Sequence, residues 1–326
     1  MKRRELITLL GGVAIFRPLK VLAQQAAVPV IGYFSSRSPD AEAPLLKPFL
    51  KSLAESGFTA GHNVAIEYRF AEGQDERLAA LVAELVGRPA TILVATDRPS
   101  AMAAKAATAT IPIVFASGAD PVQLGLVAGF NRPGGNATGV TLLTTELGPK
   151  RLGLLRDLLP KPGTIAFVVN AHSAWTAAQV REMETAAQSI GQPLLVVSVA
   201  SEEQIDQAFA SMAEQKVVAL LYSANLWFQV ISKRLVALAA HYRIPALYEW
   251  REFVVAGGLM SYSTERNEVG RETGVYAARI LKGEKAADLP VVQSSRFELV
   301  INLNTAKALG LDLPPTLLAR ADELIE

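Results

Sequence analysis

Residues 111–142 read IPIVFASGADPVQLGLVAGFNRPGGNATGVTL, and this stretch decides the fold class. Ile111–Ala116 is a short apolar run rich in β-branched residues, the pattern of a strand covered on both faces. The small and polar Ser117-Gly118-Ala119-Asp120-Pro121 breaks it, and a second short run, Ala137–Leu142, emerges from the turn-rich Asn131–Gly139.

The same unit repeats outward in both directions. Strands are expected upstream at Val30–Phe34, Val64–Phe70 and Thr91–Ala95. Downstream they are expected at Thr164–Asn170, Leu194–Val199, Val217–Tyr222, Ala246–Tyr248, Leu259–Ser263 and Phe297–Asn302. Helical stretches separate them: Leu78, Leu81, Val82 and Leu85 form one apolar stripe, and Val230, Leu235, Leu238 and Ala239 another. Asn267–Lys282 ends at Gly283, a residue suited to a helix C-terminus.

Alternating strands and helices predict an α/β fold of parallel sheets with helices on both faces. Val64–Phe70 (VAIEYRF) alternates instead, which suits an edge strand. Two such series imply two Rossmann-like lobes with parallel sheets. Turn-rich or pattern-breaking stretches at Asn131–Gly139, Glu249–Leu259 and Asp288–Phe297 would be three crossovers. Lobe 1 is then expected at 28–142 plus 257–288, and lobe 2 at 143–256 plus 289–326, hinged against each other.

Composition narrows the function. Across 326 residues, 32 Lys+Arg against 31 Asp+Glu give a net charge of +1, so no basic field for nucleic acid exists. Half the residues are hydrophobic and 19% are charged, a globular rather than a disordered balance. The absence of cysteine removes disulfides, thiolate metal sites and a lipid-bearing cysteine. At the N-terminus, Lys2, Arg3 and Arg4 precede the apolar Leu6–Phe16, and Val21-Leu22-Ala23 offers a cleavage site. Residues 1–23 are expected to be a signal peptide of the Sec or twin-arginine type, leaving a periplasmic protein with no membrane span.

Catalytic signatures are missing: no G-x-x-x-x-G-K-[ST], G-x-S-x-G or H-E-x-x-H occurs. His62 and His241 read as surface residues, and no spaced cluster suggests a metal. His172-Ser173 follows a strand and reads as ligand contact ahead of a nucleophile and its base. Loops after parallel strands are where ligands bind, and here six are rich in small polar groups. They are Ser35-Ser36, Thr96-Asp97, Ser117 to Asp120, Asn170 to Ser173, Ser223 to Asn225, and Tyr248-Glu249. Each Ser, Asp or Asn can equally be an ordinary helix N-cap; six converging loops favour a ligand site for the set. Trp175, Trp227 and Trp250 all lie in the second half, where ring faces can sandwich a flat ligand.

The leader MKRRELITLLGG, the stretch IPIVFASGADPVQLGLVAGFNRPGGNATGV, and KRLGLLRDLLP, IPALYEWREFVVAGGLMSYS and the C-terminal ILKGEKAADLPVVQSSRFELVINLNTAKALGLDLPPTLLARADELIE together resemble the substrate-binding proteins of ABC transporters, of the tryptophan-binding type. The resemblance spans essentially the whole chain. It implies the type I periplasmic-binding fold and a small-molecule ligand, an amino acid or an aromatic or other organic acid. It also implies ABC permease and ATPase partners, a monomer, and no cofactor, metal or catalytic residue. Carried over by position, the ligand contacts would be Ser35, Ser36, Thr96, Asp97, Ser117, Asp120, Asn170, His172, Ser173, Ser223, Asn225, Tyr248 and Glu249. Where relatives often carry an acid after the strand matching Val217–Tyr222, this chain has Ser223-Ala224-Asn225, which counts against a ligand ammonium. Two other readings stay open. One is an exported module signalling to a membrane sensor; the other is an exported enzyme using His172 or Asp97 as acid or base.

Overall fold

The computed structural model describes residues 28–88, 90–142, 144, 147–159 and 162–326. The expected signal segment, 1–23, lies outside them.

The first half runs β1 (Val30–Ser35), α1 (Pro39–Glu55), β2 (Ala65–Phe70), α2 (Leu78–Gly87), β3 (Ile92–Ala95), α3 (Arg98–Ala107), β4 (Ile113–Ser117) and β5 (Ala137–Thr141). Next come α4 (Gly148–Leu158), β6 (Ile165–Asn170), α5 (Thr176–Ser189), β7 (Leu194–Val199), α6 (Glu202–Glu214), β8 (Ala219–Tyr222), α7 (Leu226–Val230), α8 (Ser232–His241) and β9 (Ala246–Tyr248). The chain ends with α9 (Arg251–Val255), β10 (Met260–Thr264), α10 (Arg266–Leu281), β11 (Val292–Gln293), β12 (Phe297–Asn302), α11 (Leu303–Leu309), α12 (Pro315–Leu318) and β13 (Glu323–Ile325).

These strands make two sheets. The first, ordered β11-β5-β4-β3-β1-β2, is parallel throughout, with the alternating β2 at its edge as expected. The second is ordered β13-β12-β10-β9-β8-β6-β7, with β10 and β12 antiparallel and the other pairs parallel. Central strands are apolar runs because helices cover both faces: β3 and β4 are buried throughout. Ile31, Val94 and Val114 pack on one face of the first sheet, and Phe34, Ala95 and Phe115 on the other.

The chain crosses between sheets three times, but not at the most turn-rich places. Within the turn-rich Asn131–Gly139, residues 131–136 form a turn and residues 137–139 already belong to the buried β5, which still pairs with β4, so the first crossing follows Thr141. Residues 257–288 do not return to the first lobe as a block. β10 pairs with β9 and β12 in the second sheet, and only from Arg266 does α10 pack on α1. The third crossing falls after β11, which pairs with β5 in the first sheet. Turn-forming residues mark where a chain bends, whereas strand pairing decides which sheet it joins.

The α1–α10 contact anchors the second crossing. A Cβ on Gly270 would collide with the Leu45 carbonyl, and one on Gly274 would lie 2.5 Å from the Phe49 carbonyl. The two backbones therefore meet with no side chain between them. Among the described residues no helix is long and apolar enough to cross a membrane.

Candidate ligand cleft

Because both sheets are largely parallel, the carboxyl ends of their strands face each other across one cleft of about 710 Å³. Its floor is apolar and comes from the first lobe and the crossings: Leu45, Ala116, Leu142 and Val269, which belong to the same packed cluster as second-lobe residues such as Tyr222 and Trp250.

The first-lobe wall is ionic and largely paired within itself, with Arg37 Nε and Thr96 Oγ1 buried without a partner. Asp97, at the end of β3, caps α3 by accepting the Ser100 N–H at 2.9 Å through Oδ1. Its Oδ2 accepts the Ser36 N–H and the Ser36 hydroxyl, both at 2.8 Å. The Ser35 hydroxyl lies 2.8 Å from Asp97 and 2.9 Å from Glu42, so its single proton serves one carboxylate at a time. Arg37 donates to Glu42 at 3.1 Å and to the Thr96 carbonyl at 3.0 Å, and stands 3.8 Å from Asp97. Burial alone would raise the Asp97 pKa, but Arg37 and the Ser100 and Ser35 donors outweigh it and hold the carboxyl below its ordinary value. Burial likewise works against the Arg37 cation, yet Glu42 and Asp97 raise its pKa above the usual arginine value.

The second-lobe wall is built of amides and rings. Asn170, ending β6, donates to the Asn225 side chain at 3.2 Å and accepts the His172 N–H at 2.9 Å. Asn225 caps α7 by accepting the Trp227 N–H at 3.0 Å. Gln179 brackets Ala224, accepting its N–H at 2.8 Å and donating to its carbonyl at 3.3 Å. Trp175 and Trp227 line the cleft beside them. Glu249, after β9, also faces the cleft; burial pushes its pKa up, against the pull of Arg151, Arg266, Arg37 and Thr144.

Of the thirteen residues expected at the ligand, eight line this cleft: Ser36, Thr96, Asp97, Asn170, His172, Ser173, Asn225 and Glu249. Five do not. Ser35 sits behind the wall between two carboxylates, and Ser117 turns its hydroxyl to the Ala119 carbonyl at 3.2 Å. Asp120 accepts the Val122 N–H at 2.8 Å within its own loop. Ser223 is buried, and Tyr248 is stacked between Tyr222 and Phe253 at 5.6 and 4.8 Å. Successive residues at a strand end point to opposite faces, so one of a neighbouring pair is often lost to the core.

The expectation passed over the arginines. Arg98 opens α3 with its guanidinium 4.3 Å above Trp175 of the other lobe. Arg266 opens α10, 3.9 Å above the Trp250 ring and paired with Glu252 at 3.2 Å. Both lie at helix starts, where the helix field disfavours a cation. That mismatch is a signal available in the sequence.

The family model for ABC transporter substrate binding proteins matches residues 35–325. The chain belongs to that family. A relative from Clostridioides difficile (strain R20291), called a tyrosine-binding protein, is 28% identical over 269 residues, 81% of this chain and 76% of the relative. A solved structure of an ABC domain from Streptococcus pneumonia, in complex with L-Trp, is 26% identical with a TM-score of 0.82, covering 91% of this chain and 99% of its own. The ligand-free, open structure of a substrate binding protein with adhesive properties from Clostridium difficile is 25% identical with a TM-score of 0.71. It covers 92% of this chain and 99% of its own. The two-lobed α/β architecture is thus the type I periplasmic-binding fold, and the two relatives above with a named ligand are a tyrosine-binding protein and an L-Trp complex.

Proposed function

We propose that this chain is the exported solute receptor of an ABC importer, capturing a small organic molecule between its lobes and presenting the closed form to a membrane permease. The observation that carries this is the shared cleft: an apolar floor common to both lobes, between two walls of loops that follow parallel strands. Three chain crossings join the lobes, which suits a hinge: ligand contacts available only when the walls meet shift the population toward closure. At nearly equal identity and coverage, the whole chain superposes better on the L-Trp complex than on the ligand-free open structure, which supports a lobe arrangement nearer the former.

Receptor chemistry suits the cleft better than catalysis. His172 has no hydrogen-bonded carboxylate to orient it among the described residues, and the Ser173 hydroxyl accepts the Trp175 N–H at 3.3 Å. Asp97 is held ionised by its donors and is a poor proton donor near neutral pH.

The test is a thermal-shift screen of residues 24–326 against amino acids, aromatic acids, small carboxylates, nucleosides and sugars, with small-angle scattering for closure. A true ligand at a hundred times its Kd adds about 2.7 kcal/mol, and the radius of gyration should fall or hold at a closed value. Turnover of a stabilising compound, or no stabilisation by any class, would overturn the reading.

A further inference from the structure

Arg98 is the cleft cation that the protein leaves without a carboxylate partner. Arg37 is bound to Glu42 and Arg266 to Glu252, whereas no carboxylate among the described residues lies within salt-bridge distance of Arg98. Its Nε, like that of Arg37, is sealed from solvent with no acceptor; what sets Arg98 apart is that it also lacks the carboxylate Arg37 has. Its position does not serve α3 either, because a cation at a helix N-terminus opposes the helix field. Burial pulls its pKa down to about 10, although Glu249, Asp75 and Asp97 all favour the charged form. A partly desolvated guanidinium with unused donors is suited to a charge-assisted, two-point bond to a ligand anion.

The flat surfaces around it set the rest of the ligand. Trp175, 38% exposed and belonging to the opposite lobe, lies 4.3 Å beneath the guanidinium, and Trp227 lines the same cleft. Of the acids of the inner cleft, Asp97 is taken up by Ser36, Ser100 and Arg37, while Glu249 faces Arg151, Arg266 and Arg37 with burial still raising its pKa.

We infer that Arg98 is the carboxylate anchor of the cleft, so that the cargo is an aromatic carboxylic acid whose amino group, if it has one, adds little to binding. The inference rests on the receptor reading and names the cargo of that same cleft. The Arg98–Trp175 stack is one contact between the two lobes, so a carboxylate on Arg98 would sit where the walls meet.

Calorimetry on residues 24–326 compares three probe sets. The first is tryptophan and tyrosine. The second is their deaminated acids, 3-(indol-3-yl)propionate and 3-(4-hydroxyphenyl)propionate. The third is their decarboxylated amines, tryptamine and tyramine. The two acid sets should bind within about tenfold of each other, and the amines about 10- to 100-fold more weakly, the span expected for one charged hydrogen-bonding pair. Arg98→Gln should lose a similar factor for the acids while keeping its thermal midpoint without ligand. Arg98→Lys, which keeps the charge but not the planar fork, should recover part of it.

Amines binding as well as acids, or amino acids far outbinding their deaminated forms, would overturn the inference in the unaltered protein. So would a folded Arg98→Gln variant with unchanged affinity for the acids. In each case some compound still binds and the receptor reading survives. If none of these probes binds but a sugar or nucleoside does, the carboxylate inference fails alone. If nothing from the full screen binds, both fail.

Discussion

The two walls of the cleft are made on opposite principles. The first-lobe wall is built on an ionic network, with Asp97 accepting from Ser36 and Ser100, beside Arg37 and Glu42 and with Ser35 between the carboxylates. The second-lobe wall has a sparse amide chain, Asn170 to Asn225, and exposes rings at Trp175 and Trp227. The difference is a division of labour: the Asp97–Arg37–Glu42 part of the first wall is paired before any ligand arrives and leaves Arg98 for a ligand, while the second wall offers surface for a ligand to cover. Buried ionic groups must be satisfied internally or the fold fails, whereas ring faces can wait for a partner at small cost.

The sharpest way to break this contrast is Asp97→Ala. It leaves Arg37 short of a buried counter-charge and removes the α3 cap, so chemical denaturation should show a loss of about 3–5 kcal/mol. A loss below about 1 kcal/mol would mean the network is not structural. Asn225→Ala, the matching cut in the other wall, removes one cap and one amide bond and should cost about 0.5–2 kcal/mol.

Acid titration sharpens the comparison further, because the acids of the two walls shift in opposite directions. Asp97 is held below its ordinary value, so its contribution is complete above about pH 4, where the unfolded carboxyl ionises. It is lost as pH falls through the lower folded value. Glu249 is pushed up, so its burial penalty is present at neutral pH and is relieved as pH falls through its folded value. Stability measured from pH 7.5 to 3 should therefore show Glu249→Gln gaining on the parent at pH 7.5, with the gap closing toward pH 4. Asp97→Asn should show the reverse, closest to the parent below pH 4. The smallest effect on stability is expected from Trp175→Ala: within about 1 kcal/mol without ligand, since the ring is partly exposed. Its ligand affinity should nonetheless fall, and an unchanged affinity would argue that the ring is only surface.

Part of the cleft was legible because it depends on local order. A strand followed by a small polar loop and a helix start is written in consecutive residues, and Ser36, Asp97, Asn170 and Asn225 were found that way. Ser35 and Tyr248 misled because each neighbours a true lining residue and points to the other face. Asn131–Gly139 marks no crossing because Pro133, Gly134 and Gly135 shape a turn ahead of β5 and residues 137–139 already lie in that strand, still in the first sheet.

Two series of buried parallel strands, the loops at their carboxyl ends and the lack of known catalytic motifs can be read from short consecutive runs of residues. That β10 stays with the second sheet while α10 joins the first cannot, because it depends on long-range pairing. The tertiary structure alone decided that Asp97 is sealed by residues about 60 positions away, and that Arg98 meets Trp175 across the cleft. The physical reason is that strand identity follows from local burial pattern, whereas charge pairing and lobe contact depend on which distant groups share the same low-dielectric space.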